Sequence, residues 1–253
     1  MDKQDPIAVF DSGVGGVSVL IELRKMLPNE HFLYYGDSAN APYGLRSTEE
    51  VRSLTLAAAE NLMRRSCKAL VVACNTATAA AIADLRKVYP DRIIVGIEPA
   101  IKLACARHPG GTIGVMATNV TLREKKLAAL LDRVSRDCNV IRLPSPGVVE
   151  LVEAGKAGSP EAVALMESEL GQLRGQLDAL VLGCTHYPFI RGAIRTVVGD
   201  GVDILDGGEG TARETKRRLE EAGLLNDGPG SLTVENSSSD PAKIRLTYDL
   251  LNG

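Results

Sequence analysis

The chain has 253 residues, 45% of them hydrophobic, and its 29 lysines and arginines against 32 aspartates and glutamates give a net charge of −3. This length and apolar content can bury one sizeable core, or two smaller cores that share a cleft, and they exclude disorder, while charges of both signs scattered along the chain argue against nucleic acids and membrane surfaces as partners. Because no apolar run approaches the roughly 20 residues of a membrane-spanning helix and the five cysteines form no tight pattern, we expect a cytoplasmic protein whose thiols are free for chemistry.

Short apolar runs with high β propensity alternate along the chain with longer segments of helical period. This alternation is typical of parallel sheets covered by helices, so the predicted fold class is α/β. In chain order the predicted strands are Ile7 to Phe10, Phe32 to Tyr35, Ala69 to Ala73, Ile93 to Ile97, Thr112 to Met116, Val140 to Leu143, Ala179 to Leu182 and Val202 to Leu205. The predicted helices between them include Ser18 to Met26, Glu49 to Arg64, Thr121 to Arg133 and Glu161 to Leu173. From Asp227 onward we expect a loop around one short strand, Leu232 to Val234, and a last helix after Pro241.

An internal repeat divides the chain into two similar units. The run Ile7 to Ser12 recurs in form as Ile113 to Thr118, 106 residues later. The run Val71 to Thr76 matches Val181 to His186 at an offset of 110, and a rougher third match lies at an offset of 108. Two α/β units are therefore expected, with the carboxyl ends of their strands, where ligands bind in open α/β sheets, available for a site.

Cys74 and Cys184 occupy matching places in the two units, each after a predicted strand and before a small polar residue. Both are predicted to lie where a strand turns into a helix, so the backbone N–H groups that follow and the helix dipole can stabilise a thiolate or a substrate carboxylate. A thiol with an ordinary pKa of about 8.5 is mostly neutral at pH 7, so a cysteine base needs such help. We therefore predict a functional pair, opposed across one cleft. The other three cysteines are expected to be small buried apolar residues: Cys67, Cys105 and Cys138.

The glycine-rich segment after the first strand, Asp11 to Gly16, allows a tight turn or a close approach of backbone to a ligand. A dinucleotide site is the rival interpretation, because Asp37 follows the second predicted strand. Two details argue against it: Ser18 stands where the third glycine of the fingerprint belongs, and the Asp11 carboxylate would lie beside the pyrophosphate.

His186 stands two residues after Cys184 and leaves several alternatives open. The two side chains could be zinc ligands, or a cysteine–histidine nucleophile pair with Asn75 or Asp206 as its orienting residue, or His186 could be structural. No Cys-x-x-Cys or His-x-x-x-His motif accompanies them, which favours a role in proton transfer and predicts no metal. Glu153, taken alone, is predicted to be a solvated surface carboxylate.

Four separated motifs, in their order and spacing, resemble the glutamate racemases of the aspartate/glutamate racemase family. The likeness extends from about residue 7 to about residue 225, with a weaker echo at Asp240-Pro241. The motifs are Phe10 to Gly16, Pro42 to Gly44, Ala73 to Ala77 and Leu182 to Pro188.

The resemblance implies a cofactor-independent racemase in which Cys74 and Cys184 are the acid and base thiols. Asp11 is then expected beside Cys74, and Glu153 and His186 beside Cys184. It also implies two pseudo-symmetric parallel-sheet α/β domains, residues 1–98 plus 208–253 and residues 99–207, facing each other across a central active-site cleft. The implied biology is a homodimer that supplies D-glutamate for bacterial peptidoglycan. The implied substrate contacts are Asp11, Ser12, Tyr43, Gly44, Asn75, Thr76, Thr118, Thr121, Thr185 and His186.

The chain also departs from the family pattern. The departures bear on substrate breadth, oligomer contacts and cleft opening, and they are Ser145, Glu150, Glu124, Leu127 and Gly207. None of these five is a proposed catalytic residue.

Two bases suit a racemase because the α-proton must leave one face of the carbon and another must arrive on the opposite face. Backbone N–H groups and the hydroxyls and amide of Ser12, Asn75, Thr76 and Thr185 would have to stabilise the carbanion, since no electron sink is available. The alternatives are a racemase of aspartate, a hydantoin or another carboxylate, a thiol hydrolase, and a binding protein with structural cysteines.

Overall fold

The computed structural model describes residues 1–123 and 125–253, and these form two parallel sheets with helices on their faces. The strands are β1 Ile7–Asp11, β2 His31–Gly36, β3 Ala69–Val72, β4 Ile93–Gly96, β5 Thr112–Ala117, β6 Asn139–Pro144, β7 Ala179–Leu182, β8 Asp203–Asp206 and β9 Ser231–Asn236. The first sheet has the order β4-β3-β1-β2-β9 and the second β6-β5-β7-β8, with every pair parallel. The predicted fold class, two parallel-sheet α/β halves, is confirmed, and no strand bound differs from the predicted one by more than two residues.

The repeat seen in the sequence is a repeat of topology. In the second sheet, β8-β7-β5-β6 follows the same order as β4-β3-β1-β2 in the first. The first strand of each unit is therefore central, and the strand that precedes each predicted cysteine lies beside it. The first sheet has one extra strand, because the tail returns to it and β9 pairs in parallel with β2.

Helices fill the segments between the strands much as their apolar spacing predicts. They are α1 Val17–Met26, α2 Thr48–Met63, α3 Asn75–Val88, α4 Ile101–Arg107, α5 Asn119–Arg123, α6 Lys125–Val134, α7 Val148–Glu153, α8 Pro160–Leu170, α9 Arg191–Val198, α10 Gly208–Glu221 and α11 Pro241–Asn252. Shorter 3₁₀ helices span Tyr43–Leu45, Gly171–Leu173 and Tyr187–Ile190.

Two of the predicted helices differ from the structure. The stretch predicted as one helix over Thr121 to Arg133 is described as α5 and α6, and Glu124 between them lies outside the described residues. The stretch predicted over Glu161 to Leu173 is α8 followed by the 3₁₀ helix Gly171–Leu173.

The core of each unit lies on both faces of its sheet. All residues of β1, β3 and β7 are buried, which explains why these strands are continuous apolar runs rather than alternating ones. The carboxyl ends of these inner strands face the other unit, so the residues that follow them line the cleft. Among the helices of the described part of the chain, none is long and apolar enough to cross a membrane.

Candidate active site

Asp11, the last residue of β1, joins the two halves of the site. Its fully buried carboxylate accepts hydrogen bonds from the backbone N–H of Gly13 (3.0 Å) and from the hydroxyl of Thr185 in the other unit (3.0 Å). Burial raises the pKa of Asp11, although the charge of His186 opposes this rise. Because Thr185 directly follows Cys184, Asp11 connects the first unit to the loop that carries the second cysteine.

The glycines after Asp11 allow side chains of the second unit to approach the backbone closely. A Cβ atom built on Gly13 would lie 2.0 Å from Oε1 of Glu153, and one built on Gly15 would lie 2.4 Å from Nδ1 of His186. A side chain at either position would force the Glu153 carboxylate or the His186 ring to move, so glycine preserves these contacts between the units. The space that a dinucleotide would need at this turn is filled by Glu153 and His186.

Cys74 is the N-cap residue of α3 and is 5% exposed. Its sulfur accepts a hydrogen bond from the N–H of Ala77 (3.4 Å), and its thiol donates to the Ser12 hydroxyl (3.5 Å). Burial, with the charge of Asp11 as a second cause, raises the pKa of the thiol to about 12, although Ser12 and Ala77 favour the thiolate. Cys74 is also near enough to Cys184 for a charge on one sulfur to act on the other.

Cys184 lies two residues beyond β7 and has a different environment. The expectation that a helix begins here with its dipole toward the sulfur is wrong, since the next element is the 3₁₀ helix Tyr187–Ile190 and α9 begins only at Arg191. Pro188 has no N–H to donate to the Cys184 carbonyl, as an α-helical turn beginning at the cysteine would require, and the Tyr187 N–H donates to that carbonyl instead (3.1 Å). Instead, Nδ1 of His186 lies 3.7 Å from the Cys184 sulfur.

His186 connects Cys184 to Glu153. The ring is almost completely buried, with Nδ1 toward the Cys184 sulfur and Nε2 2.9 Å from Oε1 of Glu153. Burial by itself lowers the pKa of a histidine, but the hydrogen bonds with Cys184 and Glu153 outweigh it and raise the pKa of His186 to about 10. The raised pKa favours the imidazolium form of His186, in which Nε2 donates to the Glu153 carboxylate.

Glu153 ends α7 and is not the solvated carboxylate that its sequence alone suggests. Oε1 also accepts from the N–H of Val14 (2.8 Å), and Oε2 accepts from the ammonium group of Lys243 (2.6 Å). Burial by itself raises the pKa of Glu153. The hydrogen bond and charge of His186 outweigh burial, together with the hydrogen bonds from Lys243 and Val14, and the pKa falls to about 2. Lys243, which lies on α11, was not found by sequence reasoning; Asp240-Pro241 at the start of that helix was the only nearby signal.

Three threonine hydroxyls meet across the cleft. Oγ1 of Thr76, on α3, lies 3.1 Å from Oγ1 of Thr121 and 3.4 Å from that of Thr118, and the Thr118 hydroxyl donates to Thr121 over 3.0 Å. Beside them, Oδ1 of Asn75 is buried without a hydrogen-bond partner among the described residues. An unpaired buried amide oxygen next to Cys74 is suited to accept from the ammonium group of an amino acid.

Tyr43 and Gly44 lie at the edge of this cluster. The Tyr43 hydroxyl donates to Oδ2 of Asp37 (2.7 Å), so this hydroxyl is already engaged. A Cβ on Gly44 would lie 2.9 Å from Cγ2 of Thr118, which explains the glycine. The sequence motif contains Tyr43, but the role of Asp37 in holding it comes from the structure.

The remaining predictions concern residues outside the cleft. Cys67, Cys105 and Cys138 are free and buried, as expected. No group of three or more His, Cys, Asp and Glu side chains arranged for a metal occurs in residues 1–123 and 125–253.

The described departures from the family pattern lie in different surroundings. The Ser145 carbonyl accepts from the Tyr187 hydroxyl (3.0 Å), and Leu127 is buried among apolar residues of the second unit. A Cβ on Gly207 would lie 2.3 Å from the Glu98 carbonyl, where the chain passes between the units. Glu150 is exposed in the first turn of α7.

Comparisons with known proteins agree with this arrangement. The sequence profile of the Asp/Glu/hydantoin racemase family matches residues 15–215. A glutamate racemase of Clostridium kluyveri is 49% identical over 256 residues, 99% of each chain. The structure of Escherichia coli glutamate racemase in complex with L-glutamate and the activator UDP-MurNAc-ala has a TM-score of 0.85 and 30% identity, covering 98% of this chain and 92% of that one. A glutamate racemase of Francisella tularensis in complex with D-glutamate has a TM-score of 0.85 and 26% identity, covering 99% and 95%. The chain therefore belongs to the Asp/Glu/hydantoin racemase family.

Proposed function

We propose that this protein interconverts L- and D-glutamate by moving the α-proton between Cys74 and Cys184. The observation that carries the proposal is the position of the two sulfurs, each just beyond the corresponding strand of a pseudo-symmetric unit and close enough to interact electrostatically. A substrate between them would have one thiol on each face of its α-carbon. A single fixed base cannot serve both faces, so the paired geometry favours racemisation over hydrolysis.

The proton transfers follow from the two environments. One sulfur, as thiolate, removes the α-proton, and the other, as thiol, delivers a proton to the opposite face; after turnover the two protonation states are exchanged. Cys74 holds its proton tightly because of burial and Asp11, so it is suited to the acid role in the resting protein. On the other side, the His186 imidazolium can donate to Cys184 when that sulfur is ionised. We assign Asp11 to the Cys74 side and Glu153 with His186 to the Cys184 side.

Carbanion formation needs stabilisation of negative charge on the substrate carboxylate. The proposed donors are the hydroxyls of Ser12 and Thr76 and the N–H groups at the start of α3. The Thr185 hydroxyl, which donates to Asp11 in this structure, would have to turn toward the substrate to join them. Asn75 offers its unpaired oxygen to the substrate ammonium group. Thr118, Thr121 and the backbone at Tyr43-Gly44 complete the proposed substrate surface.

The choice of glutamate rests on relatives. The Clostridium kluyveri relative is named a glutamate racemase, and the Escherichia coli and Francisella tularensis structures contain L- and D-glutamate. In a cell with a peptidoglycan wall, the product would be D-glutamate for that wall. We further propose a homodimer, a cytoplasmic location, and a division into domains of residues 1–98 plus 208–253 and residues 99–207.

The test is an assay of purified, pyridoxal-free protein on both enantiomers of glutamate and of aspartate in deuterated buffer. We expect deuterium at the α-carbon together with loss of optical activity, no hydrolysis product, and a higher kcat/KM for glutamate. A higher value for aspartate would exclude the substrate assignment. Activity lost on EDTA treatment and restored by zinc would exclude the thiol mechanism.

A further inference from the structure

The C-terminal helix contributes a charge to the cleft from outside the family motifs. Lys243, in the first turn of α11, donates to Oε2 of Glu153 (2.6 Å) and to the Glu153 backbone carbonyl (3.1 Å). Two bonds from one ammonium group to the same residue fix both the carboxylate and the end of α7. The Lys243 side chain is 23% exposed and that of Glu153 11%, so solvent only partly screens this pair.

The position of Lys243 is set by packing and not by the ion pair alone. Asp240 caps α11 by accepting from the N–H of Ala242 (2.9 Å). Leu246 of this helix packs against the core of the second unit, and Leu250 packs against the cores of both units. The strand before the helix, β9, belongs to the first sheet. Lys243 is therefore presented to the second unit by a tail that is anchored in the first.

The groups facing the Glu153 carboxylate come from three segments of the chain. His186 and Lys243 are its positive partners, the N–H of Val14 is a neutral donor, and Asp11 is a nearby negative charge. The His186 ring in turn faces Cys184. Charge at Lys243 can thus reach one of the two sulfurs through Glu153 and His186, whereas Cys74 interacts with Ser12 and Ala77.

We infer that Lys243 is a positioning residue for the Cys184 half of the reaction: it holds Glu153 as an oriented carboxylate, which holds His186 protonated toward Cys184. The inference rests on the proposed two-thiol function. Removing the ammonium group raises the pKa of Glu153, which weakens its support for the positive charge on His186. The half-reaction that uses Cys184 should then slow. On acidification its rate should begin to fall at a higher pH, because the Glu153 carboxylate is protonated more readily.

Racemisation rates alone cannot reveal a one-sided defect. The two enantiomers have equal free energy, so kcat/KM must stay equal in the two directions whatever the variant. An irreversible half-reaction is needed, and elimination from 3-chloroglutamate supplies one. One base removes the α-proton, and the electron pair of the broken C–H bond forms the double bond between the α and β carbons. Chloride leaves from the β carbon with its bonding pair. The resulting enamine then hydrolyses to a keto acid and ammonium.

The experiment compares Lys243→Met, Lys243→Arg and Arg245→Met. Arg245 is exposed on the same helix, so its variant controls for loss of a positive charge on α11. Cys184→Ala first identifies which enantiomer of 3-chloroglutamate depends on Cys184. In Lys243→Met, elimination from that enantiomer should fall by about tenfold or more, as expected for loss of one charge-assisted hydrogen bond, and the other enantiomer should change by less than about twofold. Lys243→Arg should recover most of the rate, and Arg245→Met should match the wild type.

Each outcome decides the inference. Equal slowing of both enantiomers in Lys243→Met, a parallel loss at all pH values, or the same effect from Arg245→Met would mean that Lys243 only supports the fold. Wild-type rates in Lys243→Met would mean that the ion pair has no role in the reaction. If the wild-type protein does not racemise glutamate, the proposed function fails first, and that result is visible before any variant is measured.

Discussion

The backbone N–H of Val14 donates to the side chain of Glu153 over 2.8 Å, between residues 139 positions apart in the chain. The bond crosses the cleft from the glycine-rich turn of the first unit to the end of α7 in the second. It exists because Gly13 has no side chain to keep the carboxylate away. The glycine motif therefore acts as a contact surface between the units.

Gly13→Ala should impair the reaction without unfolding the protein. Its Cβ would lie 2.0 Å from Oε1 of Glu153, so the carboxylate must move away from the Val14 N–H and from His186. A displacement of about 1 Å costs about a hundredfold in rate, which is the fall in kcat/KM that we expect for L-glutamate. Gly210→Ala, on α10, is the matched control, since nothing lies within 4 Å of its added Cβ. An active Gly13→Ala variant would show that the close approach is dispensable.

A second prediction concerns the charge on His186. Its pKa of about 10 exceeds the ordinary 6.5, so the contribution of this charge to folding stability is complete below about 6.5 and is lost as pH rises through about 10. Glu153→Gln removes the negative partner, and burial should then lower the pKa of His186. Nuclear magnetic resonance of the ring protons should find His186 charged across the neutral range in the wild type and titrating there in the variant. A ring that titrates identically in both proteins would contradict the assigned interaction.

The buried ion pair of Lys68 and Glu30 should stabilise the first unit. Their charged atoms lie 2.5 Å apart with side chains 0% and 1% exposed, and Glu30 also accepts from the N–H of Asn226 (2.9 Å). Lys68→Met leaves the Glu30 carboxylate buried and unpaired, so the free energy of unfolding should fall by about 3 to 5 kcal/mol.

Denaturant unfolding measures this loss. The double variant Lys68→Met with Glu30→Gln keeps an acceptor for Asn226 and removes the unpaired charge, so it should be more stable than Lys68→Met alone. Lys216→Met removes an exposed lysine 3.9 Å from Glu220 and should change stability by less than about 1 kcal/mol. If Lys216→Met lowers the free energy of unfolding as much as Lys68→Met does, burial does not determine the effect of losing the Lys68–Glu30 pair.

The sequence predicts the site best where a short motif directly follows a predicted strand. The cysteines at 74 and 184 follow strands that the apolar pattern identifies, and the offset between the repeats places them at equivalent ends of two similar sheets. Periodicity alone could not show that a 3₁₀ helix follows Cys184, because proline and aromatic residues there suit either helix type.

The parts that sequence reasoning missed depend on contacts between distant segments. Glu153 looks like a surface carboxylate because its partners, Val14, His186 and Lys243, lie far from it along the chain. Lys243 reaches it only because β9 joins the edge of the first sheet and directs α11 across to the second unit. No local pattern around residue 243 contains that information.

The central claim is that each of two thiols serves one face of the substrate. Cys74→Ser and Cys184→Ser each replace an acidic thiol by an alcohol that barely ionises near neutral pH, and each should lower racemisation by at least about a thousandfold, or about 4 kcal/mol of transition-state stabilisation.

The most direct measurement is elimination of HCl from the two enantiomers of 3-chloroglutamate by these two variants. The two-base account predicts that each variant keeps this one-base reaction and that the two prefer opposite enantiomers. Elimination from the same enantiomer by both, or near-native racemisation by either, would contradict it.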